Sequence, residues 1–250
     1  MLNIFLLNSN TEHLLMHLDL QIHSCLSPCG ALECSPKKIA LAAINKGMDI
    51  IALTDHNTTG NCPAMFDVVK EIPGLTAYFG TEVTSSEEIH LICLFGDVDS
   101  AVEFGEFVKS HLPNKKNNPD YFGDQPIVDA NENIIDFENA LLIGSTDLSI
   151  SSITEKVHSK NGIVIASHVD RPINSIFAQL GLWPDDAVID AADLSINVTD
   201  ETKWKMLIPD NIPIVRTSDA HFLEDIGRQY ITLEMNSPKF EDFKKALQQL

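Results

Sequence analysis

The segments LLMHLDLQIHS at residues 14–24 and DIIALTDHN at residues 49–57 decide the fold predicted for this chain. Each is a short apolar run, typical of a buried strand, that stops at a histidine, His23 in the first case and His56 in the second. Between them, Ser35 and the proline after it predict the start of a helix, because they supply a cap and a first-turn proline. The pattern is therefore strand, helix, strand, with a metal-type side chain where each strand ends.

Apolar runs and helical patterns alternate through most of the chain, as in a parallel sheet or barrel. Further strands are predicted at 75–79, 89–95, 162–166, 187–190, 194–197, 212–216 and 229–233, and further helices at 64–72, 99–111, 149–159, after residue 172 and from residue 238. We therefore predict an α/β fold, a distorted TIM-like barrel whose functional side chains gather at the carboxyl ends of the strands.

The chain is interpreted as one domain with two irregular parts. Residues 13–250 are predicted to form a single barrel domain, because a 250-residue chain that is 44% hydrophobic can bury a substantial core. Residues 1–12 are interpreted as an N-terminal extension, since their apolar start is too short for a membrane span and lacks a basic leader. Residues 112–136 are polar and irregular, and we expect an excursion over the barrel that contains a small hairpin.

The acidic composition sets expectations about partners and location. Seventeen basic and 36 acidic residues give a formal charge of −19, which repels phosphate backbones and anionic membranes. We therefore expect neither nucleic acid nor a membrane as a partner. Five cysteines without a secretory signal indicate reduced thiols and a cytoplasmic protein. The spacing of Cys25, Cys29, Cys34 and Cys62 matches no standard metal-cluster motif.

Seven metal-type side chains stand out by their position relative to the predicted strands: His23, His56, Glu82, His90, His168, Asp219 and His221. All lie at or just beyond strand ends except His90, which stands near the start of its strand and could instead be a core histidine. Strand parity places His56 on the opposite face from Asp55, and places Asp219 and His221 together. As a set they predict a metal site, because imidazole and carboxylate donors suit Zn, Mn or Fe.

Each of these candidates lies in a short sequence motif. In chain order, the motifs are Asp19-Leu-Gln-Ile-His23, Leu53-Thr-Asp-His56, Gly80-Thr-Glu82, His90-Leu-Ile-Cys93, Ala166-Ser-His168 and Thr217-Ser-Asp219-Ala-His221. Taken together they resemble the polymerase-and-histidinol-phosphatase (PHP) family of metal-dependent phosphoesterases. The resemblance implies a distorted (β/α)7 barrel that binds two or three divalent metal ions (Zn, Mn or Fe) and hydrolyses a small phosphate monoester.

The resemblance also implies a role for each candidate. Glu82, His90 and His168 would form one ion site. Glu82 would bridge to a second ion, which His23 and Asp219 would also hold. The third ion would be held by His56 and His221.

Two positions depart from the family pattern. Gln21 stands where the family has the first histidine of Asp-x-His-x-His, so this position offers at best an amide oxygen. Pro28 and Cys29 stand where the family usually has Asp, Glu or His, and either Cys29 or Glu33 could substitute as a ligand.

The implied reaction is hydrolysis by a metal-activated water that attacks phosphorus in line, and no catalytic side chain is named beyond this metal-bound water. Arg171, three residues after His168, is the candidate for a forked phosphate contact, with a surface ion pair as its alternative. Arg216 is expected to face the outer helices instead. The sequence contains no nucleophile elbow, His-Glu-x-x-His helix, Walker loop or dinucleotide fingerprint, so serine hydrolases, zincins, P-loop proteins and Rossmann proteins lack support.

Two other functions stay open at this point. A degenerate PHP domain would bind metal or a partner without catalysis, and Gln21 favours that alternative. A barrel amidohydrolase would cleave C–N bonds with a similar activated water, but it would need a lysine on an inner strand face.

Overall fold

The computed structural model describes residues 14–250, so the N-terminal extension predicted for residues 1–12 lies outside the described residues. Its first strand, β1 (Leu14–Ile22), pairs in parallel with β2 (Ile50–Leu53), which pairs in parallel with β3 (Thr76–Thr84). Helix α1 (Pro36–Asn45) connects the first two strands and begins where predicted, since the Ser35 side chain accepts a hydrogen bond from the Lys38 N–H.

The fourth strand, β4 (His90–Phe95), runs antiparallel both to β3 and to its other neighbour, β7 (Ile163–Ala166). Its first residue therefore lies at the end of the sheet where the parallel strands finish. Reversal of this one strand explains how His90 reaches the same end as the other candidates. Gly80 allows the close β3–β4 pairing, because a Cβ at that position would lie 1.9 Å from the Cys93 carbonyl oxygen.

The sheet continues from β7 through β8 (Ala191–Asp193) and β9 (Ile214–Val215), both parallel. A parallel bridge between Ile22 and Ala220 then joins the segment that follows β9 to the end of β1. The His23 N–H donates to the Ala220 carbonyl oxygen there at 2.9 Å. An eighth strand, β10 (Ile231–Met235), pairs antiparallel with the first half of β1. The predicted distorted barrel is confirmed.

A β-bulge in β1 decides which side chains enter the barrel. Leu18 pairs with Ile50 and Ile22 pairs with Leu53, so β1 has one residue more than β2 between these pairs. Before the bulge, Leu18 belongs to the apolar cluster of the barrel interior. The extra residue inverts the alternation, so that Gln21 and His23 face inward after it.

The remaining elements surround this barrel. They are α2 (Cys62–Lys70), α3 (Val98–Ser110), α4 (Pro119–Phe122), β5 (Pro126–Val128), β6 (Ile134–Phe137), α5 (Ile150–His158), α6 (Ile176–Gln179), α7 (Thr202–Leu207) and α8 (Phe240–Leu247). Strands β5 and β6 form a hairpin within the predicted excursion. Asn61 anchors that hairpin to the barrel, because its Oδ1 accepts a hydrogen bond from the Val128 N–H at 3.0 Å. No helix among residues 14–250 is long and apolar enough to cross a bilayer.

Two local predictions are wrong. The strands predicted at 187–190 and 194–197 are replaced by the single strand β8, because the residues that pair with the neighbouring strands are Ala191–Asp193. Ile189 and Leu194 on either side are buried but unpaired in the sheet, and Val188 is largely exposed. The cap of α3 is Asp97, whose side chain accepts a hydrogen bond from the Ser100 N–H, instead of Asp99.

Candidate metal centre

The centre of the site is the carboxylate of Glu82, near the end of β3, with 1% of its surface exposed. Nitrogen atoms of five side chains surround its two oxygens: Gln21 Nε2 at 2.9 Å, His90 Nδ1 at 3.1 Å, His56 Nδ1 at 3.3 Å, His23 Nε2 at 3.4 Å and His168 Nε2 at 3.4 Å. The barrel thus brings together side chains from strand ends that are far apart in sequence. A buried carboxylate inside a ring of imidazoles is an arrangement suited to divalent cations.

A second carboxylate, Asp219, completes the site beyond the end of β9. Its Oδ1 lies 3.2 Å from His23 Nε2, and its Oδ2 accepts a hydrogen bond from Arg171 Nη2 at 2.5 Å. The ring of His221 stacks on that of His23, with centroids 4.5 Å apart. Exposure rises from the buried Glu82 to 38% for the Arg171 side chain, so the site opens toward solvent at Asp219, His221 and Arg171.

The backbone is strained at two of these positions. His168 has φ +29° and Asp219 has φ +50°, values that cost residues other than glycine about 1–3 kcal/mol each. Asp193 holds both segments in place, because its carboxylate accepts the His168 N–H at 3.1 Å and the Thr217 N–H at 2.9 Å. Buried Asp193 is therefore a positioning residue that the sequence reasoning missed. Its only sequence signal is a lone carboxylate beside small apolar residues.

The donor atoms form three overlapping groups, and within each group the ligand atoms lie within 4.8 Å of one another. The groups are His56, Glu82 and His90; His23, Glu82 and Asp219; and His23, Cys29, His56 and His221. Buried His168 Nδ1 has no hydrogen-bond partner among the described residues, and His90 Nδ1, although 3.1 Å from Glu82 Oε1, is not aligned for a hydrogen bond. Buried polar atoms without partners are rare unless an ion or water satisfies them. The residues present therefore fit divalent metal ions.

Burial and neighbouring charges shift the pKa values of several ligand side chains. Burial opposes ionisation of Glu82, but the neighbouring His90 and His56 hold the pKa of its carboxyl well below the usual range. Burial lowers the pKa of His56 to about 3. For Asp219, burial is again outweighed, chiefly by the His23 hydrogen bond, and the pKa is lowered. At neutral pH two ionised carboxylates and the neutral His56 imidazole thus face one another. For His23, burial is outweighed by the Asp219 hydrogen bond and the neighbouring carboxylates, which raise its pKa, so His23 must release a proton when a metal ion binds.

The side-chain amide of Gln21 lies between Glu82 and two hydroxyl groups. Its Nε2 donates to Glu82 Oε1 at 2.9 Å, while its Oε1 accepts a hydrogen bond from Thr217 Oγ1 at 3.0 Å and from Ser167 Oγ at 3.2 Å. The amide oxygen is therefore engaged away from Glu82, and the geometry favours an orienting role for Gln21 over the weak ligand role expected from the sequence. The two-residue alternation of a strand predicts which face Gln21 lies on, but the orientation of its amide group follows only from the structure.

A ring of hydrogen bonds holds the loop after β1. Asp55 faces away from the ligand groups, as its parity predicts, and accepts hydrogen bonds from the Ser24 N–H, Ser24 Oγ and Ser27 Oγ at 2.6–2.7 Å. Ser27 Oγ also lies 3.2 Å from His23 Nδ1 and accepts the His56 N–H at 3.1 Å. These contacts orient the two imidazoles, and adjacency to His23 was the only sequence signal for the two serines.

Of the other residues discussed in the sequence analysis, Cys29 lies at the site, whereas Glu33 and Arg216 do not. Cys29 lies in a ligand group, whereas Glu33 is exposed and lines a different cavity, beside Lys38 and Glu132. Arg216 turns away from the site and pairs with Glu201 at 2.8 Å, as expected.

Comparison with known proteins decides the family. The profile of the PHP domain matches residues 19–179, and the profile described as PHP-associated matches residues 210–249. The chain belongs to the PHP domain family. PHP proteins are metal-dependent hydrolases, so the ligand groups around Glu82 have the chemistry that membership requires.

One curated protein is similar in sequence, and several solved structures share the fold. The uncharacterized protein YqxK of Bacillus subtilis is 29% identical over 101 residues, which cover 38% of this chain and 26% of YqxK. The lesion-specific endonuclease Q of Pyrococcus furiosus shares the fold at 19% identity and a TM-score of 0.69, over 95% of this chain and 56% of that one. A protein from Bifidobacterium adolescentis that carries the designation metal-dependent phosphoesterase has a TM-score of 0.60 at 16% identity, over 92% and 95% of the two chains. This chain therefore spans about a quarter of YqxK and just over half of endonuclease Q.

The prediction that nucleic acid is excluded as a partner is contradicted. Endonuclease Q has the same fold, and its structure is known with a 27-mer duplex whose abasic lesion lies at the active site, at a TM-score of 0.70 and 18% identity to this chain. Net charge describes the average field of the whole protein, whereas bound cations set the field at the site itself. The net charge of −19 therefore does not exclude nucleic acid as a partner.

Proposed function

We propose that this PHP protein is a phosphoesterase that releases phosphate from a small phosphate monoester. One observation carries the proposal: Glu82 belongs to two of the three ligand groups, so ions held by those groups would share a carboxylate and lie side by side. When bound, such ions would activate a water and offset the charge on the phosphoryl oxygens. Paired ions of this kind suit in-line displacement at phosphorus.

The protein's own residues have three tasks in this proposal. Glu82 and His90 would hold one ion together with His168, which belongs to none of the three groups but whose Nε2 lies 3.4 Å from Glu82 Oε1. Asp219 with His23 would hold the neighbouring ion. Gln21 and Asp193 orient these ligands through the hydrogen bonds described above. The burial of the ligand set excludes bulk water from the base of the site.

Arg171 is proposed to bind the phosphoryl group. Its guanidinium lies at the open side of the site, and the bond to Asp219 engages only one of its nitrogens. A guanidinium has five N–H donors in a planar fork, so donors remain for two phosphoryl oxygens. Replacement by lysine should raise KM more than it lowers kcat, because a lysine retains the charge and loses the fork.

A second candidate is cleavage of a phosphodiester in damaged nucleic acid. The fold similarity to endonuclease Q favours it, although that protein has roughly as much chain again beyond the shared part. The amidohydrolase alternative has less support, because no lysine among residues 14–250 is buried and none therefore lies on an inner strand face.

The test uses protein purified without chelator and resupplied with Mn, Zn or Fe. Phosphate release is measured on a panel of monoesters, and strand cleavage is measured on a duplex with an abasic site. His168→Ala should abolish turnover, whereas His158→Ala should leave it unchanged, since His158 pairs with Asp190 on the outer face of the barrel. Cleavage of the duplex without phosphate release would favour the second candidate. Bound metal without any turnover would favour the non-catalytic alternative.

A further inference from the structure

One ligand group in this protein differs in chemistry from the other two. It consists of Cys29 with the imidazoles of His23, His56 and His221, and it contains no carboxylate. Both other groups depend on Glu82. The donor set therefore changes from carboxylate and imidazole to thiolate and imidazole within a single site.

The loop that carries Cys29 is held tightly against the barrel. The Gly30 N–H donates to the Ser27 carbonyl oxygen at 3.0 Å, and the Ala31 N–H donates to the His221 carbonyl oxygen at 2.9 Å. At Gly30 a Cβ would lie 2.1 Å from the Ser24 carbonyl oxygen, so the turn permits only glycine. Cys29 is thus fixed between a tight turn and the segment that supplies His221.

Cys29 also differs from the other four cysteines of the chain. Those four are buried, whereas Cys29 is partly exposed. Two examples are Cys62, whose thiol points at the Gly80 carbonyl oxygen, and Cys93, whose thiol points at that of Leu91. Among the described residues, Cys29 is the cysteine that belongs to a ligand group, with its Sγ within 4.8 Å of three imidazole nitrogens.

We infer that Cys29 is a metal ligand and that its thiolate makes one ion position selective for zinc-like ions, while the positions that share Glu82 accept harder ions such as Mn. The inference rests on the proposed function only in taking the site to bind more than one ion. Thiolate sulfur favours Zn, Co and Cd, and one cysteine with imidazoles forms a donor set typical of tetrahedral Zn. With His23 taken by the ion beside Asp219, the zinc-like ion would be held by Cys29, His56 and His221, and the centre is then mixed, with this firmly held ion beside an exchangeable harder one.

The first experiment is spectroscopic. Metal-free full-length protein is titrated with Co²⁺, whose bond to a thiolate produces a charge-transfer absorption in the near ultraviolet. The wild type should show this band, Cys29→Ser should lose it, and Cys62→Ser should keep it. A band of unchanged intensity in folded Cys29→Ser protein would overturn the inference.

The second experiment measures selectivity directly. Protein is equilibrated with equal concentrations of Zn and Mn, and the ions retained per chain are counted by mass spectrometry. Cys29→Asp should lower the Zn-to-Mn ratio by about tenfold or more, because a carboxylate is the harder ligand. An unchanged ratio would refute the selectivity, and circular dichroism would verify that both variants fold.

Failure of this inference is distinguishable from failure of the proposed function. Wild-type protein that shows the thiolate band but hydrolyses no ester would refute the phosphoesterase and leave the Cys29 ligand standing. Ester hydrolysis by the wild type, together with an absorption band that Cys29→Ser retains, would refute the Cys29 ligand and leave the phosphoesterase standing.

Discussion

Glu82→Gln is expected to weaken two ion positions at once while leaving the third in place. The substitution keeps the size of the side chain and removes the negative charge that two ligand groups share. The third group, which contains Cys29, includes no atom of Glu82. The expected result is a loss of bound harder ions such as Mn with retention of one zinc-like ion per chain.

The size of the effect follows from burial and charge. Two opposite unit charges about 4 Å apart attract by about 4 kcal/mol at an effective dielectric constant of about 20, so a divalent ion gains about 8 kcal/mol from this carboxylate. If the loss of hydration offsets about half of that, the remaining 4 kcal/mol or so corresponds to a roughly thousandfold change in Kd. Activity that depends on these ions should fall at least as far.

The assay is metal stoichiometry after dialysis, with Mn affinity measured by calorimetry. Glu138→Gln is the matched control, because Glu138 is also a buried glutamate and pairs with Lys109 at 2.7 Å, in contact with none of the ligand groups. Glu82→Gln protein that binds Mn with a Kd within threefold of the wild type would refute the shared-carboxylate reasoning.

Three further predictions concern the support of the site. Gln21→His should tighten the binding of Mn at the positions that share Glu82, measured as a lower Kd by calorimetry, because it supplies beside Glu82 the imidazole that the family pattern has at this position; an unchanged Kd would contradict this. Burial raises the pKa of Asp19 to about 6, so metal-free protein should lose up to about 3 kcal/mol of unfolding free energy as pH rises from about 4 through 6. The free energy of unfolding, measured with urea at each pH, should fall less steeply with pH in Asp19→Asn than in the wild type. An equal pH dependence in the two proteins would exclude Asp19 as the cause. Gly80→Ala should lower the free energy of unfolding by at least about 2 kcal/mol, since its Cβ would meet the Cys93 carbonyl oxygen. Gly144→Ala is the control: its Cβ would make only ordinary van der Waals contacts, the nearest at 3.6 Å, so stability should change by less than about 0.5 kcal/mol in the same assay.

Local patterns in the sequence were enough to predict most of the strands and the ends of the strands where the candidates lie. Strand β1 and helix α1 were predictable because a buried strand needs a continuous apolar run and a helix start needs a cap. The orientation of Asp55 away from the ligands followed from the two-residue period of a strand. Selection of the seven metal-type residues therefore required only local information and the family resemblance.

Other features depend on how distant segments pair. The reversal of β4, which brings His90 to Glu82, could not be read from an apolar run that looks the same in either direction. The bulge in β1 is also invisible locally, because it is defined only by the register against β2. Strand β8 was misplaced because Ala191 and Ala192 carry little hydrophobic signal, although the barrel buries them completely.

The sequence by itself determined that this protein folds as a distorted α/β barrel of the PHP family and which residue types stand at its strand ends, because apolar period, capping and motif order are local properties of the chain. Only the tertiary structure decided how those side chains combine. It made Glu82 the shared carboxylate, assigned Gln21 to orienting Glu82 and placed Cys29 among three imidazoles. Strand direction, register and loop closure set these distances, and they arise from pairing between segments up to about 200 residues apart.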